Sequence, residues 1–123
     1  MSQDSVTEHD RRHAALRQYL EASAPNNREV AAALRPVLEA FVRVSYPEHF
    51  PPGATLGPFL TLCHQRVGTA QEVLDASDTG ELRDLVEYAN HFHHDTNPAY
   101  ETVAINDAEL RGFVERTLAF TRR

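Results

Sequence analysis

The sequence predicts an all-α domain, a compact bundle of about five main helices plus a short one, on three observations. Apolar residues recur at three- and four-residue spacings along most of the chain. An Asn, Asp or Thr followed three residues later by Glu stands at several expected helix starts: Asn26/Glu29, Thr69/Glu72, Asp78/Glu81 and Asn106/Glu109. Pro25, Pro47, Pro51, Pro52, Gly53 and Pro98 fall between the periodic stretches, where they punctuate the chain.

Residues 1–10 are polar and are expected to form a flexible N-terminus, leaving 11–123 as one helical domain. Ala15, Leu16, Tyr19 and Leu20 share one face and predict a first helix running to about Ala22. Pro25-Asn26-Asn27 breaks the chain, and the Asn26/Glu29 pair opens a second helix reaching about Tyr46. Its stripe is Val30, Ala33, Leu34, Val37, Leu38, Phe41, Val42 and Ser45. Pro36 lacks an N–H and should bend the middle of this helix beside Arg35.

From Tyr46 to Gly57 the prolines 47, 51 and 52 and Gly53 predict an ordered surface loop, pinned to the core by Phe50. A short helix is expected from about Leu56 to Val67, and the Thr69/Glu72 pair predicts a second short piece ending near Ala76. Asp78/Glu81 opens the next helix, expected to continue until Asn97-Pro98 ends it. Leu82, Leu85, Val86, Ala89, Phe92 and His93 fall on one of its faces; Arg83, Glu87, Asn90, His91 and His94 line the other. The last helix follows Asn106/Glu109, with Leu110, Phe113, Val114, Thr117 and Leu118 inward.

Composition narrows the function. The formal charge of −6 works against general nucleic-acid binding, so any RNA contact must use a local arginine cluster. All twelve basic residues are arginines, and without lysine there is no P-loop. The one cysteine, Cys63, has no partner for an internal disulfide, and its position between Leu62 and Val67 reads as core rather than nucleophile. No charged-then-apolar leader or long apolar run is apparent, so a cytoplasmic location away from membranes is expected.

The densest group of reactive side chains is Asn90-His91-Phe92-His93-His94-Asp95. On a continuous helix Asn90 would pair with His94 and His91 with Asp95, whereas His91 and His93 would point to nearly opposite sides, which disfavours a three-histidine metal site. His94 is then the best proton carrier. His93, in line with Val86 and Ala89, reads as a partly buried histidine. His91 reads as an exposed one near the helix C-terminus, and Asp95 as a local cap or ion-pair partner. A second pair, Arg35 and Glu39, lies one turn apart on the second helix and by spacing alone is an ordinary intrahelical ion pair.

The stretch from Ala33 through Arg35-Pro36-Val37-Leu38-Glu39 to Phe41, with Tyr46-Pro47 and later Tyr88-Ala89-Asn90 and His93-His94, resembles the C-terminal region of a bacterial AAA-type ATPase family that includes the phage-defence anticodon nucleases. The resemblance covers about residues 28–121. It implies a HEPN-like helical ribonuclease domain with Arg35, Glu39 and His94 as catalytic residues and Asn90, His91, His93 and Asp95 in support. It implies metal-independent cleavage of RNA, transfer RNA in the known members, with no cofactor. A homodimer and an ATPase domain or partner are the associated expectations. This sequence departs from the HEPN pattern in having Ala89, Asn90 and His91 where an arginine usually precedes the histidine, and its 123 residues contain no ATPase segment.

Two other readings compete. In one, the domain is a catalytically silent helical dimerisation or partner-binding module and Arg35–Glu39 is structural. In the other, His64, His94, Asp95 and Asp107 converge as the metal site of an HD-type phosphohydrolase, which requires all four in one place. Arg111, Arg116, Arg122 and Arg123 are read as a solvated charged face rather than a phosphate patch.

Overall fold

The computed structural model describes residues 2–22, 26–93 and 96–122, with side chains in the first helix described for residues 9–21. It contains α1 (Ser2–Ala22), α2 (Asn27–Ser45), a single 3-10 turn (Pro47–His49), α3 (Leu56–Arg66), α4 (Ala76–Asn90) and α5 (Asp107–Phe120). No strand occurs among the described residues, so the all-helical class read from the sequence holds. None of these helices is long and apolar enough to cross a membrane.

Side-chain caps set the starts of three helices. Asn26 accepts from the backbone N–H groups of Arg28 and Glu29, Asp75 from that of Asp78, and Asn106 from that of Glu109. Each satisfies a donor that the first turn leaves without an intrahelical partner. The cap of α4 is therefore Asp75, three residues before the expected Asp78. Helix α1 also starts earlier than its apolar pattern, at Ser2, so the polar residues expected to be flexible are drawn into its first turns.

Thr69 and Glu72 do not start a helix. The Thr69 hydroxyl donates backward to the Arg66 carbonyl at 2.7 Å, and the Glu72 carboxylate accepts from the Gly68 N–H at 2.8 Å. Gly68 takes a left-handed φ of 80°, which suits glycine and closes α3. Residues 67–75 form turns. The helix expected there fails because Asp75 restarts the chain too soon for a stable helix to nucleate in between.

Helices α2 and α4 run antiparallel through the centre and contribute to two core clusters. At one end, Val30, Leu34 and Val37 of α2 pack with Tyr88, Ala89 and Phe92, with Leu16 and Tyr19 of α1 and with Leu110 and Val114 of α5. At the other, Leu38 and Val42 of α2 pack with Leu82, Leu85 and Val86 of α4, Leu56, Phe59 and Cys63 of α3, and Phe120. Phe50 lies in this second cluster, its ring edge-on to Phe59, and pins the proline-rich loop as expected. Ser45, placed on the inner stripe by spacing, is exposed instead, at the last position of α2.

Candidate functional site

Arg35 lies midway along α2 and is buried, with 7% of its surface exposed. Its Nε donates to Glu39 Oε2 at 3.3 Å, as the one-turn spacing suggests, and an Nη donates to Asn90 Oδ1 at 3.0 Å. Asn90 is the last residue of α4. The guanidinium therefore ties the middle of α2 to the end of α4, and Arg35, Glu39 and Asn90 form one cluster. Its remaining terminal nitrogen has no hydrogen-bond partner among the described residues. Spacing had placed Asn90 on the outer face; it is half-buried against α2.

Helix α4 ends at Asn90 instead of running to Asn97, and the cause lies in two polar side chains further on. The Thr96 hydroxyl donates to the carbonyls of Asn90 at 2.7 Å and His93 at 3.1 Å, and the Asn97 amide donates to the His91 carbonyl at 2.9 Å. These bonds satisfy carbonyls that a helix end leaves open, so the chain turns without exposing unpaired acceptors to the interior. The turn also sends Phe92 into the first core cluster, 5.2 Å from the Tyr88 ring.

The continuous helix on which Asn90 would pair with His94 and His91 with Asp95 thus stops at Asn90. His91 is exposed at the helix end, as anticipated, with its ring edge-on to Tyr88. His93 is half-buried and faces a groove. His94 and Asp95 lie outside the described residues.

This groove, about 390 Å³, is bordered by α1, α2 and the segment after α4. It is lined by Arg11, Arg12, Ala15, Glu29, Ala32, Ala33, Pro36, Phe92, His93 and Tyr100. Pro36 adjoins Arg35 in the chain, so groove and arginine cluster share the α2 wall. Tyr100 is held by Arg28, which donates to the carbonyls of Tyr100 at 3.0 Å and Val103 at 2.6 Å. Sequence reasoning passed over Arg11, Arg12, Arg28 and Tyr100, because they have no fixed spacing to one another and meet only through packing. A second, wider hollow between α3 and α4 is lined by His64, Thr61 and Arg83 among others.

The remaining titratable groups have structural surroundings. Asp107 accepts from the Tyr19 hydroxyl at 2.8 Å and from the Asn27 amide at 3.1 Å. Burial, then the bond to Asp107, pushes the Tyr19 phenol up to about 12. Burial pushes the Cys63 thiol up to about 11, which keeps it protonated and weakly nucleophilic. Among the described residues no three His, Cys, Asp or Glu side chains converge as metal ligands. Asp107 is occupied by α1 and α2, while His64 is exposed on α3. Arg111 donates to the Leu20 carbonyl, and Arg116 grips Glu81 through two bonds of 3.0 and 2.7 Å, so both tie helices together.

Comparison of the chain with protein-family models, curated proteins and solved structures finds no match.

Proposed function

We propose that this chain is a HEPN-like ribonuclease domain that cleaves RNA without a metal or cofactor, as the effector of an ATPase-linked phage-defence system. Transfer RNA is the substrate that the resemblance suggests. The observation that carries the reading is the Arg35 guanidinium held by Glu39 and Asn90, next to the histidine-rich segment. Two of the three residues expected to be catalytic thus lie in one cluster with one supporting residue, Asn90.

In the reaction the ribose 2′-oxygen attacks the adjacent phosphorus, the bond to the 5′-oxygen breaks, and the proton of the 2′-hydroxyl is balanced by one delivered to the leaving oxygen. The products are a 2′,3′-cyclic phosphate and a free 5′-hydroxyl. His94 moves the proton, an assignment suited to a side chain that ordinarily titrates near neutral pH. Arg35 stabilises charge on the phosphoryl oxygens, Glu39 and Asn90 fix its plane, and two copies facing one cleft form the working unit in the cytoplasm.

One observation favours the catalytically silent alternative. Arg35 is buried, and its bonds to Glu39 and Asn90 suffice to explain it as a tie between α2 and α4. The two readings separate in a cleavage assay on a mixed transfer-RNA pool in EDTA. Wild type is compared with His94→Ala and with Arg35→Ala and Arg35→Lys, each checked by thermal melting. The nuclease reading expects cyclic-phosphate ends from wild type and loss of cleavage in folded His94→Ala. Folded wild type that leaves the pool intact assigns the domain to partner binding.

A further inference from the structure

We propose that the first half of α1 is an acid-released arm: protonation of His9 and His13, which face a groove formed with the ends of α2 and α5, loosens it while the second half of the helix stays docked. The inference goes beyond the ribonuclease reading and does not depend on it.

The two halves of α1 are embedded to different depths. Leu16 and Tyr19 lie in the first core cluster, the Tyr19 hydroxyl donates to Asp107 at 2.8 Å, and Arg111 donates to the Leu20 carbonyl. Of the side chains described before Leu16, none is buried. His9 and His13 instead border a groove of about 260 Å³ with Ala40, Phe41, Val44, Ser45 and Thr121. A segment that contributes no buried apolar side chain can open without unfolding the rest.

Docking requires a neutral His13. Arg17 Nη1 lies 2.6 Å from His13 Nδ1, and since a guanidinium only donates, that ring nitrogen must accept. A protonated imidazole has no acceptor, so proton uptake by His13 breaks this bond. It also places like charge on successive turns of one helix face, at His9, His13 and Arg17, with the two rings 5.9 Å apart. His9 Nδ1 is buried without a hydrogen-bond partner among the described residues, so a proton taken up there is a donor with no acceptor.

The α2 and α5 walls of this groove present only apolar and hydroxyl side chains to the pair. Burial first, then the Arg17 and His9 charges, hold the His13 imidazole below its ordinary 6.5, against the opposing pull of Asp10 on the same helix. Below about pH 6.5 the released arm therefore binds more protons than the docked one, and docking weakens as pH falls from there through the lowered value. Release also opens the groove beside His93, whose α1 wall is Arg11, Arg12 and Ala15.

The test is backbone amide exchange of the whole chain at about pH 7.5 and about pH 5, corrected for the intrinsic rate at each. Wild type is expected to lose protection about fivefold over residues 9–16 in acid, the worth of one hydrogen bond, while α4 and α5 keep theirs. The His9→Gln/His13→Gln variant, which takes up neither proton, keeps its protection at both values. His13→Arg, charged throughout, shows near neutrality the loosening that wild type shows only in acid. Protection over 9–16 that ignores acid in wild type, the same acid loss in the glutamine variant, or a loss shared by α4 and α5 overturns the proposal. Where the glutamine variant docks poorly at both values, His13→Arg decides, and protection equal to wild type near neutrality overturns it.

Discussion

Tyr88 lies flat against Phe113, with ring centroids 4.0 Å apart and planes 5° from parallel, yet its buried hydroxyl has no hydrogen-bond partner among the described residues. Burying a hydroxyl unpaired costs free energy, so Tyr88→Phe, which keeps the stack, should stabilise the protein by about 1 kcal/mol in urea unfolding. Burial first, with the Glu109 carboxylate adding to it, pushes the Tyr88 phenol up to about 12, close to the position of Tyr19. In the unfolded chain both ionise near pH 10. Between about pH 10 and 12 the unfolded state therefore binds fewer protons than the folded one, and stability falls as pH rises through that window. The Tyr19→Phe/Tyr88→Phe double variant should show a flatter decline over the same range. Arg35 differs in that its Nε and one Nη are paired, with Glu39 and Asn90. Arg35→Ala and Asn90→Ala should each destabilise by about 2 kcal/mol. In a double-mutant cycle the two losses should overlap, because either one removes the same bond.

At the scale of the element, capping decides which starts are real. Asn26→Ala and Asn106→Ala should each cost about 1 kcal/mol by loss of a bonded cap, measured by thermal unfolding. Thr69→Ala should cost less, because no helix follows it. The same contrast explains what was legible in the sequence. The starts at Asn26 and Asn106 were readable because a polar cap precedes a long periodic stretch. The Thr69/Glu72 pattern looked the same but was followed by too few residues before Asp75. The end of α4 was misread for a different reason. Phe92 and His93 continue the apolar spacing of Leu85 and Ala89, whereas the Thr96 and Asn97 side chains, which satisfy the carbonyls behind them where the helix ends, lie beyond that spacing. Arg35–Glu39 was visible as a spacing. Its bond to Asn90, 55 positions further on, depends on how α2 and α4 cross and has no local signal.

For the whole molecule, α2 and α4 carry both core clusters, and the arginines act mainly as ties across helices: Arg35 to the end of α4, Arg116 to Glu81, Arg111 to the end of α1 and Arg28 to the loop that bears Tyr100. That use of arginine explains how an acidic chain carries buried and half-buried cations. It leaves the strip from the arginine cluster to the groove beside His93 as the region where polar chemistry collects. In the proposed function this region serves RNA cleavage through the 2′-hydroxyl. Its most direct test is to incubate folded wild-type protein, in EDTA, with a transfer RNA and with the same molecule carrying 2′-deoxy sugars at the cut positions. Cleavage of the first into cyclic-phosphate ends, with the second left intact, is the predicted result. An intact ribose substrate, or equal cutting of both, would contradict it.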